Sequence, residues 1–204
     1  MKSPTILLGD SHSQVHFTHL MNMFPNLNVV ERHSNPGWST KSYLNSDILD
    51  KLPSADTIIV GLGGNNQKLD ESFDETVTTF LSALKQKGIK NIIWLGPFWS
   101  DPNIRADVLK RHEWTNQRLK QILPSTIKYI DTFPISFGLE TTDGVHFSSS
   151  KYKNMIEQLL PTIQSQIGTI NSFVRINKWW LLSSTIIVGF GTYMYLEKPW
   201  MKNS

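Results

Sequence analysis

Three side chains of this sequence could act together in nucleophilic catalysis, although they lie far apart along the chain. Ser11 follows Gly9-Asp10 at the end of a short apolar stretch, and Asp143 and His146 lie three residues apart in a polar segment. A serine hydroxyl attacks a carbonyl only when a neighbouring base takes its proton. If Asp143 holds one ring nitrogen of His146, the other nitrogen can face Ser11, as in a Ser-His-Asp triad. We therefore predict that they act as nucleophile, base and orienting carboxylate.

An acyl-transfer site also needs hydrogen-bond donors at the oxygen where negative charge develops. The backbone N–H of Gly37 is approachable because glycine has no Cβ. Asn65 offers a side-chain amide in the loop after an apolar segment, and Ser11 contributes its own N–H. The predicted oxyanion hole therefore consists of Ser11, Gly37 and Asn65.

The hydrophobic pattern predicts a scaffold that would bring these distant residues to one edge. Short apolar runs typical of buried parallel strands alternate with amphipathic segments typical of helices. This alternation indicates a three-layer α/β fold with a mostly parallel sheet, in which ligands bind outside the carboxyl ends of the strands. The predicted strands are Thr5–Leu8, Asn28–Arg32, Thr57–Val60, Asn91–Leu95 and Ile127–Ile130, and the predicted helices are Ser13–Phe24, Ser42–Leu49, Ser72–Lys87, Ile104–Leu123 and Lys151–Ile167.

Four short motifs, in this order along the chain, resemble the conserved blocks of the SGNH hydrolase superfamily, also called GDSL esterases and lipases. They are Gly9-Asp10-Ser11, Gly37, Gly63-Gly64-Asn65-Asn66 and Asp143-Gly144-Val145-His146, and Phe147-Ser148 and Tyr152 also look typical of the family. The resemblance covers roughly residues 4–165, the size of one domain. It implies a flavodoxin-like α/β/α fold, no cofactor, and ester hydrolysis through an acyl-enzyme on Ser11.

The motifs depart from the family pattern at two positions. His12 replaces the Leu of the GDSL name, at a position that we expect to be tolerant, and Asn66 replaces the Asp of G-x-N-D. That Asp has no catalytic role in the family's mechanism, so the change bears on loop structure. The sequence around Ser11 also lacks the G-x-S-x-G nucleophile elbow of α/β-hydrolases.

Each motif residue has a plainer interpretation when taken alone. Ser11 could be an ordinary helix N-cap, Asp143 an Asx-turn residue and His146 a surface histidine. Gly37 and Gly63 could simply serve turns that require positive φ. Because all four blocks occur in order at loop positions, the catalytic interpretation is preferred.

Residues near the motifs provide weaker predictions about substrate and metal. His12, which follows the nucleophile directly, and Phe98-Trp99, which follow a predicted strand, are candidate substrate contacts, although these aromatics could only pack the loop. His12, His16 and His19 would share one face of a helix. No carboxylate lies among them and no open coordination position is evident, so we predict no metal site.

The C-terminal region carries a different signal. Residues 179–196 contain no charge, and as a helix they would span about 27 Å, enough for a thin bilayer. Aromatic residues lie near both ends of the segment, as in membrane proteins. We expect a catalytic domain (residues 1–168), a linker (169–178), a single transmembrane helix (179–196) and a tail (197–204), with the catalytic domain in the cytosol because no cleavable signal peptide is evident. The alternative is a terminal helix that packs against the protein.

Composition limits the function further. The net charge is +3, which does not favour nucleic-acid binding, and the absence of cysteine excludes disulfides and thiolate chemistry. The sequence therefore predicts a serine hydrolase that cleaves carboxylic esters of acetyl, short acyl or lysophospholipid type, with the membrane as a partner. An acyltransferase on the same fold remains open, because its chemistry is shared up to the acyl-enzyme. A membrane-tethered binding module without catalysis is the third hypothesis, and the complete triad argues against it.

Overall fold

The computed structural model describes residues 3–66 and 69–167 of the chain. Its five strands pair in parallel, in the order β2-β1-β3-β4-β5, which confirms the predicted parallel sheet. The chain adds β2 on one side of β1 and then β3 on the other side. Such a reversal creates a crevice at the carboxyl ends of the strands where ligands bind. The strands are β1 (Thr5–Gly9), β2 (Val29–Ser34), β3 (Thr57–Gly61), β4 (Asn91–Leu95) and β5 (Lys128–Ile130).

Helices connect the strands, close to where the sequence predicts them. The first begins at Ser11 rather than Ser13, because the Asp10 carboxylate accepts the backbone N–H of His12 at 3.1 Å and caps the helix there. The helices are α1 (Ser11–Met23), α2 (Thr40–Leu44), α3 (Ile48–Lys51), α4 (Glu71–Gln86), α5 (Pro102–Ile122), α6 (Phe133–Ser136) and α7 (149–167).

The prediction of one helix over Ser42–Leu49 is wrong, because α2 and α3 are separate. The hydroxyl of Ser46 donates to the carbonyl of Tyr43 at 2.8 Å and accepts the N–H of Ile48 at 3.3 Å. A serine side chain that bonds to nearby backbone in this way competes with continued helix formation.

Side chains on the two faces of the sheet pack against different helices, which gives three layers. Even-numbered strand residues such as Ile6 and Ile58 belong to a buried core shared with α2, α3, α4 and α5. On the opposite face, glycines at the strand ends lie against Ser13 and Phe17 of α1. Helix α7 packs on the same side as α1, since Met155 joins a cluster that contacts Val15.

The described residues up to Gln166 form one compact unit. Within residues 3–66 and 69–167, none of the helices is both long and apolar enough to cross a bilayer. The predicted linker (169–178), transmembrane helix (179–196) and tail (197–204) lie outside the described residues, so these boundaries stay predictions.

Candidate active site

The sheet brings the motif-bearing loops to one edge. Gly9 and Gly61 are paired at the ends of β1 and β3, and Leu95 is paired with Gly61 at the end of β4. A Cβ at Gly9 would lie 2.0 Å from the Ser13 hydroxyl oxygen, so only glycine lets α1 start this close to the strand. This close packing sets the turn that delivers Ser11 as the first residue of α1.

The predicted triad residues are in hydrogen-bonding contact. The Ser11 hydroxyl oxygen lies 2.9 Å from Nε2 of His146, although 135 residues separate the two along the chain. On the other side of the ring, Nδ1 lies 2.7 Å from a carboxylate oxygen of Asp143. The predicted nucleophile, base and orienting carboxylate are thus within direct reach of one another, as a triad requires.

The charge of Asp143 sets the direction of these hydrogen bonds. Partial burial opposes ionisation of Asp143, but hydrogen bonds from the backbone and ring of His146 and from the N–H of Val145 outweigh it and lower the pKa of Asp143 to about 2. An ionised carboxylate only accepts, so Nδ1 of His146 must carry the hydrogen. Nε2 of the neutral ring is then free to accept the Ser11 proton.

The loop that carries His146 is tied down by its own backbone bonds. The Asp143 carboxylate accepts the backbone N–H of Val145 at 3.0 Å and of His146 at 2.7 Å, so Asp143 forms the Asx-type turn as well as the contact with the imidazole. The N–H of Asp101, which caps α5, donates to the carbonyl of Gly144 at 2.9 Å. The start of α5 therefore supports the turn between carboxylate and imidazole.

The predicted oxyanion residues come from loops that contact one another at the same edge. The Asn65 amide donates to the carbonyl of Trp38 at 3.2 Å and lies 3.5 Å from the Asp10 carboxylate, which links the loops after β1, β2 and β3. Gly37, next to Trp38, has φ +74°, and nothing lies within 4 Å of the position that its Cβ would take. Position 37 therefore requires glycine for its positive φ, which agrees with the interpretation of Gly37 as a turn residue. The role of Asn65 and Gly37 as oxyanion donors stays a prediction.

Known structures share this architecture, whereas no protein-family model and no curated protein matches the sequence. A member of the lipolytic G-D-S-L family from Veillonella parvula aligns with a TM-score of 0.63 at 19% identity, over 78% of this chain and 96% of that one. An acetylxylan esterase from Geobacillus stearothermophilus aligns at 0.59 and 17% identity, over 81% and 94%. A lipase/acylhydrolase from Enterococcus faecalis aligns at 0.58 and 18% identity, over 81% and 97%.

This chain has the SGNH hydrolase fold. The family resemblance seen in the four motifs is therefore confirmed at the level of architecture. At these identities the shared feature is the fold, and the chemistry must be argued from the side chains of this chain.

Within this SGNH fold, the predicted substrate contacts lie beneath the surface of the site. His12, Phe98 and Trp99 are only 5%, 4% and 8% exposed. His12 stacks on Phe98, with ring centroids 5.3 Å apart, and Trp99 packs edge-on against Phe137. Their contact with substrate stays a prediction.

The three histidines of α1 have different surroundings, although His12 and His16 both pack against Phe98 and Tyr152. His12 bonds to Tyr152, and Nε2 of His19 lies 3.0 Å from the Ser149 hydroxyl. His16 is buried against Phe98 and Tyr152, and burial lowers its pKa to about 3.

Two buried titratable groups lie next to the triad, and the sequence predicts no role for either of them. Burial raises the pKa of Asp10 to about 7, although the backbone N–H groups of His12 and Ser13 donate to it. His112 of α5 is 2% exposed, its Nδ1 lies 2.6 Å from the carbonyl of Phe98, and its ring also faces the backbone of Gly64, next to Asn65. The helical spacing of buried α5 positions could have indicated that His112 points inward.

Proposed function

We propose that this chain is a serine-dependent carboxylic ester hydrolase that works through an acyl-enzyme. The observation that carries the proposal is the continuous contact from the Ser11 hydroxyl through His146 to Asp143, at 2.9 and 2.7 Å. Attack of Ser11 on the ester carbonyl transfers its proton to Nε2 of His146, which returns it to the departing alcohol. Water then repeats the sequence on the acyl-enzyme and releases the acid.

The surroundings of the triad favour a short acyl group. The side chains of His146 and Asp143 are 38% and 54% exposed, so the catalytic groups lie on an open surface. The cavity beneath the site, lined by residues that include Asp10, His12 and Phe98, has room for no more than about one water molecule and so offers no deep pocket for a long acyl chain. An acetyl group fits such a site better than a long chain, which would have to lie along the surface.

The test combines active-site labelling with a chain-length series. A fluorophosphonate probe should label the wild-type protein, and Ser11→Ala should abolish both labelling and hydrolysis of p-nitrophenyl acetate. Thr18→Ala removes an exposed hydroxyl from the same helix and should retain both. Persistent esterase activity in Ser11→Ala would overturn the proposal.

Two further measurements address the length of the acyl chain and the identity of the acyl acceptor. The rate should fall from p-nitrophenyl acetate to the butyrate and octanoate esters, and a faster octanoate reaction would refute the short-acyl assignment. Product analysis with added alcohol distinguishes hydrolysis from acyl transfer: free acid as the main product supports the hydrolase, and a new ester as the main product supports the transferase.

The proposal extends to location. The uncharged segment 179–196 supports a single C-terminal membrane anchor that leaves the catalytic domain in the cytosol. The full chain should sediment with membranes and resist alkaline carbonate, whereas a chain that ends at residue 170 should stay in the supernatant. Equal partitioning of the two chains would contradict the anchor.

A further inference from the structure

His12, which directly follows the nucleophile, is packed against the catalytic base. Its ring centroid lies 5.0 Å from that of His146, with 34° between the ring planes. Phe98 stacks on the same ring at 5.3 Å and 26°, and His12 as a whole is only 5% exposed. His146, by contrast, retains a side-chain exposure of 38%. The partly exposed catalytic imidazole therefore packs against a side chain that is almost fully buried.

A chain of hydrogen bonds joins His12 to the loop that carries the catalytic imidazole. Nδ1 of His12 lies 2.8 Å from the Tyr152 hydroxyl, and the backbone N–H of Phe147 donates to the same hydroxyl at 3.4 Å. The hydroxyl oxygen accepts from Phe147, and its own hydrogen can be donated to Nδ1 of His12 when the neutral ring carries its hydrogen on Nε2. On the other side, the backbone N–H of His12 donates to Asp10 at 3.1 Å. The bonds thus run from the residue after His146 to the residue before Ser11.

We propose that His12 and Tyr152 are a pair of positioning residues that fix the His146 imidazole against the Ser11 hydroxyl. The inference rests on the proposed function, since it concerns the same triad. It also revises the expectation that position 12 is tolerant. A leucine there could fill space beside His146, but it could not bond to the Tyr152 hydroxyl, which would keep only the backbone N–H of Phe147 as a partner.

His12 must be neutral to serve this role. The His146 ring becomes a cation when it takes the Ser11 proton, and a second cation stacked on it would oppose that step. Burial lowers the pKa of His12 well below 6.5, and His112, His146 and His16 act in the same direction, whereas Asp143 acts against them. The other titratable groups in contact with His12 are Asp10 and Tyr152, whose pKa values burial raises. The neutral His12 ring therefore packs against His146 without opposing the positive charge that His146 acquires.

The test compares His12→Leu and Tyr152→Phe in the full chain. Misplacement of a reacting group by about 1 Å costs up to about 10²-fold in rate. We therefore expect His12→Leu to lower kcat on p-nitrophenyl acetate by about 10- to 100-fold, with KM little changed. Tyr152→Phe should also lower kcat, and the double variant should lose less than the product of the two single losses, because the two side chains share one hydrogen bond. His12→Asn, which offers an acceptor near the Nδ1 position, should recover part of the loss.

His16→Leu is the matched control. His16 is buried on the same helix and packs against Phe98 and Tyr152, so its replacement disturbs the same cluster without removing a bond to Tyr152. Wild-type kcat in His12→Leu, an equal loss in His16→Leu, or independent effects of His12→Leu and Tyr152→Phe would each overturn the proposal. If His12→Leu does not fold, Tyr152→Phe alone decides, and wild-type kcat in that variant refutes the pair.

A second readout separates this inference from the proposed function. In NMR spectra, the hydrogen between Nδ1 of His146 and Asp143 should give a low-field signal that broadens or disappears in His12→Leu and persists in His16→Leu. This signal reports on ring position whether or not the protein hydrolyses esters. If the wild-type protein hydrolyses no ester but the NMR signal changes in His12→Leu as expected, the proposed function is refuted and the positioning role is kept. An unchanged signal in His12→Leu would refute the positioning role.

Discussion

Acid should destabilise this protein through its buried histidines, and His112 allows the effect to be calculated. Burial lowers the pKa of His112 from 6.5 to about 4, even though the carbonyl of Phe98 favours the proton. As pH falls below 6.5, the unfolded chain takes up a proton that the folded chain does not, so the contribution of His112 to stability is lost between 6.5 and about 4. The full loss is about 3 kcal/mol, of which about 2 kcal/mol is reached at about pH 5.

Other buried groups titrate in the same range, so the experiment must isolate His112. His16, with a pKa of about 3, adds a loss of the same sign. Asp10 acts oppositely: its pKa is raised from 3.8 to about 7, so the folded state gains stability as pH falls through that interval. The net pH dependence of the wild type is therefore a sum of opposing contributions, and only a comparison between variants assigns one of them.

The assay is urea unfolding of wild type and His112→Gln at about pH 8 and about pH 5. Between these pH values the free energy of unfolding of the wild type should fall by about 2 kcal/mol more than that of His112→Gln. This difference does not depend on how much the substitution itself destabilises the protein at about pH 8. His33→Gln, on the edge strand β2, is the control for loss of a histidine away from this cluster. If His112→Gln loses as much stability on acidification as the wild type, the ring is not held neutral by burial and the reasoning fails.

Three further substitutions test the site and its scaffold. Asp143→Asn keeps the shape of the side chain but no longer favours the required imidazole tautomer, so kcat should fall by about 10⁴-fold with an unchanged circular dichroism spectrum; a loss of less than about tenfold would contradict the triad. Asn65→Ala removes a predicted oxyanion donor and should lower kcat by about 10²- to 10³-fold, whereas Asn66→Ala in the same loop should be far milder, and equal losses would indicate loop damage instead. Gly9→Ala places a Cβ 2.0 Å from the Ser13 hydroxyl oxygen and should lower the free energy of unfolding by about 1–3 kcal/mol in urea; an unchanged midpoint would show that α1 can shift.

The sequence predicts best those features that depend on local patterns. Strand β4 has the predicted bounds, Asn91–Leu95, because a continuous apolar run in a fully covered sheet leaves little choice of register. The hydrophobic pattern predicts the start of α1 two residues late, because the first turn is set by the Asp10 side chain, which caps the helix, and not by apolar residues. The motif blocks predict Ser11 and His146, and the fold brings the two side chains into contact although 135 residues separate them.

The support around the triad could not be predicted in the same way. The contact between His12 and Tyr152 joins residues 140 positions apart, and nothing in either residue type indicates which partner it will have. The same holds for His112, whose contacts with Phe98 and Gly64 depend on how α5 lies across two loops. Tertiary packing decides such contacts, and no periodicity within one segment encodes them.

The two halves of the triad are attached to the molecule very differently. Ser11 follows β1, which is paired on both sides by β2 and β3, whereas Asp143 and His146 lie in the irregular segment between α6 and α7, outside any strand. That segment can open without separating any part of the sheet, and such sub-global openings cost less free energy than complete unfolding. If it opens, His146 leaves Ser11 while the sheet stays paired, so esterase activity should be lost reversibly on warming at a lower temperature than the unfolding transition followed by circular dichroism.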